Sequence, residues 1–217
     1  MEIELINTGS ELLLGRVLNT HQQWLGETLS DAGYILTRQE TVPDTAEAIC
    51  EAVKVALGRA DLVITTGGLG PTPNDMTVEA IAQIMGVQTE IDESLVARYM
   101  ESRNIATRED VNPGLVKMAT KPVGAWAHPN PAGGAPCVES QIGDTTIFSL
   151  PGPPREVQAL FRQSVENKLA EIYDDLDGDR DDLDFYETII AELGASSVLD
   201  IGCGTGTLAC RLAQRGL

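Results

Sequence analysis

The apolar run Asp61-Leu62-Val63-Ile64-Thr65 passes directly into Thr66-Gly67-Gly68-Leu69-Gly70-Pro71-Thr72-Pro73-Asn74-Asp75. A short apolar run bounded by turn residues reads as a strand buried on both faces. A helix is expected to start near Asp75 and to end at Gly86. A strand buried on both faces needs helices on each side, which directs the chain toward an α/β fold. Three glycines let the loop backbone adopt φ > 0 and approach a ligand closely. Pro71 and Pro73 stiffen it. Backbone N–H groups of the loop and the following helix suit an anion, with the helix dipole in support. The same spacing also suits a plain strand-to-helix turn with Asp75 as N-cap.

The rest of the chain repeats this alternation. Residues 3–7 read as a first strand, and Thr8-Gly9-Ser10-Glu11 turns the chain. Asn19 or Thr20 can cap a helix to about residue 32, with Trp24, Leu25 and Leu29 on one face. Gly33 ends it, and residues 34–42 alternate like a strand. Asp44 or Thr45 can cap a second helix whose buried face carries Ile49, Val53 and Leu57. A further helix is expected over 93–103. Strands alternating with helices predict a mostly parallel sheet covered on both faces. After Lys121 the pattern changes. Residues 137–141 and 145–150 flank Ile142-Gly143-Asp144, a hairpin signal that predicts an antiparallel edge. Residues 153–172 read as a closing helix with Pro in its first turn.

The formal net charge of -18 weighs against nonspecific binding to nucleic acid or anionic membranes. It does not weigh against a small anionic ligand held by backbone amides. Aromatic residues make up only 4 %, so Leu, Ile, Val and Ala are expected to build the core. The cysteines, Cys50, Cys137, Cys203 and Cys210, lack CxxC spacing and read as free thiols. Met1-Glu2-Ile3-Glu4 has no signal-peptide character, and no apolar run approaches the ~20 residues of a membrane span. A cytoplasmic protein is the expectation.

Three acids follow strands expected to be parallel: Glu11 after the first, Asp44 after the second and Asp75 after the third. They share one edge of the sheet. Carboxylates beside a phosphate site suit a divalent cation bound jointly by protein and ligand oxygens. Equally, Asp44 and Asp75 can be helix caps and Glu11 a solvated turn residue.

Thr8-Gly9-Ser10-Glu11-Leu12-Leu13-Leu14-Gly15, Asn19-Thr20 and residues 65–77 together resemble the N-terminal domain of the CinA family. That domain belongs to the wider molybdopterin-binding fold of the MoaB and MogA proteins. Asn130-Pro131-Ala132-Gly133-Gly134-Ala135-Pro136 resembles the family's NPxGxAPG. Leu150-Pro151-Gly152-Pro153-Pro154-Arg155-Glu156 resembles its LPGxPxE. The resemblance spans about residues 1–173. It implies a three-layer α/β/α fold, a homo-oligomer, and a nucleotide-like or pterin-phosphate ligand. It also implies metal-dependent hydrolysis of ADP-ribose to AMP and ribose 5-phosphate, with Mg²⁺, Mn²⁺ or Co²⁺ as cofactor. Adenylylation of molybdopterin, as in MogA-like relatives, and a binding module without turnover are the alternatives. By motif position Asp75 and Asp44 are the catalytic and metal-binding residues. Gly67, Gly68, Leu69, Gly70, Thr72, Glu11, Asn130, Pro151, Gly152 and Arg155 are the ligand-binding ones, although Arg155 can equally form a surface ion pair. Two positions depart from the pattern. Asn74 stands where the family usually has the first acid of PTPDD, and Cys137 where a glycine usually closes NPxGxAPG.

Residues 174–185 are rich in acids and read as a solvated linker. Beyond them a helix is expected over 185–193, a strand over 197–201 and a helix over 207–214. Residues 198–206 resemble motif I of class I S-adenosylmethionine methyltransferases, carried by Asp200, Gly202, Gly204 and Gly206. One strand and two helices cannot bury a core. Residues 186–217 are therefore expected to be a fragment without methyltransferase activity.

Overall fold

The computed structural model describes residues 1–177, 181–198, 206–214 and 216. It divides into two compact units, Met1–Glu166 and Asn167–Leu217.

In the first unit, β1 (Ile3–Thr8), β2 (Leu36–Val42) and β3 (Leu62–Thr66) alternate with α2 (Thr20–Asp31) and α3 (Ala46–Leu57). A one-turn helix, α1 (Ser10–Leu13), follows β1, and α4 (Thr77–Met85) follows the glycine-rich loop. The six-stranded sheet has the order β2-β1-β3-β8-β7-β6, where β6 is Trp126–His128, β7 is Cys137–Ile142 and β8 is Thr145–Leu150. β2, β1, β3 and β8 are mutually parallel, and β7 is antiparallel to both its neighbours. The hairpin at Gly143 forms as expected, but its second strand is not at the edge. All six β8 residues are buried, so that strand completes the parallel core beside β3. The edges are β6 and β2, and β2 exposes Arg38, Gln39 and Glu40, which discourage further pairing.

Side-chain alternation sends the two faces of the sheet into separate layers. Ile6, Val63 and Ile147 pack with Ile49 and Val53 of α3 and with Ala80 and Ile81 of α4. The opposite parity, Ile3, Leu5, Ile64 and Phe148, is also fully buried. On that side stand α2 and α7 (Pro154–Leu160), which contact each other. Trp24 of α2 meets Phe161 edge-on at 5.5 Å between centroids. This is the three-layer α/β/α arrangement.

The helix ends follow their chemistry. The Asn19 side chain accepts from the Gln22 N–H and caps α2. Thr45, not Asp44, caps α3 by accepting from the Ala48 N–H. Gly86, with φ of 70°, closes α4.

A lobe interrupts the sheet between α4 and β6. It contains β4 (Thr89–Ile91), α5 (Glu93–Arg103), α6 (Pro113–Met118) and β5 (Thr120–Pro122). β4 and β5 pair antiparallel as a separate ribbon. Leu95, Val96, Tyr99, Val111, Leu115 and Ala119 form the lobe's own core.

The closing helix is interrupted by a π-helical turn at Phe161–Val165 before α8 (Glu166–Asp177). In the second unit, α9 (Asp181–Glu192) starts four residues earlier than expected, so residues 174–177 and 181–185 are helical where a linker was expected. Ser197 and Val198 are not in a strand. Asp200, Gly202 and Gly204 lie outside the described residues. Gly206, with φ of 79°, directly precedes α10 (Thr207–Gln214). Within this unit Arg211 of α10 pairs with Asp184 and Glu187 of α9.

Candidate functional site

The four parallel strands end in step. Thr8 lies opposite Val42, Asn7 opposite Thr66, and Thr66 opposite Leu150. Every chain therefore leaves the sheet at one edge, where ligands bind in open α/β sheets. Backbone bonds tie these exits together: the Gly9 N–H donates to Val42 O (3.0 Å) and the Gly67 N–H to Leu150 O (2.9 Å).

Above this edge lies a cavity of about 490 Å³, within the range of small-molecule sites. Gly67, Gly68, Leu69, Gly70 and Thr72 form one wall. Glu11, Asp44, Asp75, Pro151 and Gly152 also line it. Ten of the twelve expected catalytic and ligand-binding residues thus share one cavity. Asn130 and Arg155 are not on its wall.

The loop's shape depends on glycine at two positions. Gly67 and Gly68 have φ of 92° and 69°. A Cβ on Gly67 would lie 2.6 Å from Thr8 O, and one on Gly68 would overlap Thr77 Oγ1. The Gly67 amide is already used by Leu150, so it does not serve the ligand as expected. The amides of Gly68, Leu69 and Gly70 make no hydrogen bond among the described residues. The α4 N-terminus does not line the cavity; its Thr77 N–H donates back to Gly68 O (3.1 Å).

Neither Asp75 nor Asp44 serves as a helix cap. Asp75 does not cap α4, whose N-cap is Met76. Its Oδ2 instead accepts from the Thr72 N–H (2.8 Å) and the Thr72 hydroxyl (2.6 Å), which locks the loop. Asp44 Oδ2 accepts from the Ser10 N–H (2.8 Å), joining the β2 and β1 exits. In both residues Oδ1 makes no hydrogen bond among the described residues and stays available. Glu11 curls back toward Gly9. Among the described residues no three His, Cys, Asp or Glu side chains gather closely enough to hold a metal alone.

Asn130 organises the far wall from behind. Its amide donates to Ala135 O (2.7 Å) and to Glu156 Oε2 (2.6 Å), and its Oδ1 accepts from the Ala132 N–H (2.8 Å). Glu156 lines the cavity, and burial raises its pKa against the Asn130 hydrogen bond and the Arg155 charge. Arg155 itself is exposed. The cation that does line the cavity is Arg103, at the end of α5, beside Met118. Sequence reasoning missed Arg103 because nothing local to a helix C-terminus shows what it faces. Glu156 closes the stretch that resembles LPGxPxE, and nothing local to the sequence marks it as facing the cavity. Asn74 lines the cavity. Cys137 does not; it is fully buried in β7, where burial pushes its thiol pKa far up. The three described cysteines are free thiols.

A mostly parallel sheet with a glycine-rich loop over a cavity at its carboxyl edge defines an α/β domain with a candidate ligand site. Residues 4–171 match the family described as "Probable molybdopterin binding domain", and the chain belongs to that family, as a CinA-type domain. The crystal structure of "the protein CinA with unknown function" from Thermoplasma acidophilum is 36 % identical with a TM-score of 0.71, covering 76 % of this chain and 96 % of that one. MoaB from Thermus thermophilus shares the fold at 20 % identity and a TM-score of 0.50, over 79 % of this chain and 95 % of its own. A protein of Pyrobaculum arsenaticum is 44 % identical over 168 residues, 76 % of this chain. A putative competence-damage inducible protein of Desulforudis audaxviator is 42 % identical over 174 residues, 79 % of this chain. The chain spans 62 % of the former's length and 41 % of the latter's. Among the described residues no helix is long and apolar enough to cross a membrane.

Proposed function

We propose that this domain hydrolyses the diphosphate bridge of a nucleotide-like ligand such as ADP-ribose. One observation carries the reading: three uncommitted amides, those of Gly68, Leu69 and Gly70, share a cavity with Asp44 and Asp75, each with an uncommitted carboxylate oxygen. The amides suit phosphate oxygens as charge develops on them. A divalent cation fits only in the shared mode, with one or two carboxylates and the ligand's own phosphates, because no protein-only cage exists among the described residues. Asp75 and Asp44 would hold it through Oδ1. When bound, such an ion neutralises phosphate charge and lowers the pKa of water. Asp75 also keeps the loop in place through Thr72. The exposed apolar residues Leu13, Leu14, Val17 and Leu18, next to Glu11 in the chain, favour a homo-oligomer.

The test is incubation with ADP-ribose and Mg²⁺, Mn²⁺ or Co²⁺, with AMP and ribose 5-phosphate as readout. Asp75→Asn should lower turnover on the order of a hundredfold or more while leaving the fold intact. A folded Asp75→Asn protein with full turnover would overturn the mechanism. The second reading, adenylyl transfer to molybdopterin, is favoured by the family description. It predicts pterin retention and ATP-dependent AMP transfer. Tight ligand binding with neither product would leave a binding module, consistent with the loss of an acid at Asn74.

A further inference from the structure

The cavity wall carries four carboxylates, Glu11, Asp44, Asp75 and Glu156, against a single cation, Arg103. In a chain of net charge -18, an incoming anion meets a repulsive field unless that guanidinium faces it. The Arg103 guanidinium makes no hydrogen bond or ion pair with any described residue. Of the lobe's other cations, Arg108 pairs with Glu93, Lys117 with Glu79 and Lys121 with Glu90, while Arg98 lines a different cavity.

The position of Arg103 is built. Tyr99 lies four residues earlier, on the same face of α5. Its hydroxyl donates to Gly134 O at 2.6 Å and fastens α5 to the cavity wall. Burial raises the Tyr99 pKa to about 12, so the phenol remains a donor. A Cβ on Gly134 would lie 3.9 Å from Arg103 Nη2, so the guanidinium rests over a wall without a side chain.

We propose that Arg103 recognises the second phosphoryl group of a diphosphate ligand, with the first seated on the Gly68–Gly70 amides and Tyr99 positioning the arginine. This rests on the phosphate-site reading above and adds the residue that tells a diphosphate from a monophosphate. A guanidinium presents a planar fork that matches two phosphate oxygens at once. A monophosphate is satisfied at the loop and has nothing to place there.

Calorimetric binding at fixed ionic strength with Mg²⁺ tests this, using α,β-methylene-ADP, whose bridge resists hydrolysis, and AMP. Arg103→Gln should weaken the diphosphate about tenfold or more and AMP less than about twofold. Arg103→Lys should restore part of the loss, and Tyr99→Phe should give a smaller loss with the same selectivity. Arg98→Gln, which removes a cation of the same helix that does not line this cavity, should change neither ligand. Equal losses for both ligands, or no loss, in folded Arg103→Gln would overturn the assignment alone. A wild-type protein that binds neither ligand would overturn the phosphate site and the assignment together.

Discussion

Two regions face each other across the cavity, and they are made differently. The sheet buries both faces between helical layers, and its loops leave from strands whose every residue is buried, as in β1, β3 and β8. The lobe has a six-residue core, a two-stranded ribbon of three-residue strands, and an α5 with three buried residues. The sheet supplies the amides and three of the four acids; the lobe supplies Arg103 and Met118. The proposed anion cradle thus stands on the more deeply buried half, while the cation proposed to select the ligand stands on the half with less to hold it. Local stability follows buried apolar contact, so the two walls should open at different free energies.

Truncating each core measures that difference. Phe148 is fully buried in the central strand β8, and Phe148→Ala should cost about 3–5 kcal/mol. It should lower the denaturant midpoint of the whole sheet unit. Leu95 is almost fully buried in the lobe, and Leu95→Ala should cost nearer about 2 kcal/mol, the low end for such changes. Hydrogen exchange should then speed in residues 93–103 while β1 and β3 keep their protection. Equal acceleration in lobe and sheet would show that the two cores open as one, and the contrast would fail.

The same contrast governs what could be read from sequence. β3 was legible as an apolar run, β2 as an alternating stretch and the β7–β8 pair from its hairpin signal, and α5 was expected over the very residues it occupies, 93–103. β4, β5 and β6 were not foreseen, since three residues carry no measurable period. The hairpin signal named the β7–β8 pair but not the insertion of β8 beside β3, because pairing is local and strand order is not. At the site, Glu11, Asp44 and Asp75 reached one cavity because parallel strands impose a common edge. Which residue caps each helix was not legible: several polar residues stand near each helix start, and backbone geometry selects among them. Arg103 was invisible for the reason already given, since a tertiary contact chose it.

A smaller effect separates structure from chemistry on the sheet side. Thr45 caps α3 and Asp44, its neighbour, does not. Thr45→Ala should cost about 1 kcal/mol in thermal or denaturant unfolding. Ligand binding should stay within about twofold of wild type, the scatter expected of a change away from the site. Asp44→Asn should reverse the pattern, with little loss of stability and a clear loss of metal-dependent binding. If Thr45→Ala weakens binding as much as Asp44→Asn does, Asp44 acts only through the loop it braces.

The smallest expected effect concerns His21, which supports the sheet wall from behind. The Thr66 hydroxyl donates to Asn7 Oδ1 (3.0 Å), while the Asn7 amide donates to Glu40 O (3.3 Å). With its one hydrogen spent, Thr66 can only accept from His21 Nδ1 (3.3 Å). Nε2 is then a bare, buried acceptor without a hydrogen-bond partner of ordinary geometry. Burial lowers the His21 pKa, and the nearby Gly152 backbone, which favours the charged ring, opposes that only in part. Above pH 6.5 the ring is neutral in both folded and unfolded chains, so it makes no pH-dependent contribution there. As pH falls below 6.5 the unfolded chain takes up the proton first, and stability drops until the lowered native value is passed. Wild type should therefore lose more melting temperature between pH 7.5 and 5.5 than His21→Gln, whose side-chain amide can still donate to Thr66. Parallel melting curves across that window would mean that His21 does not couple the sheet wall to pH.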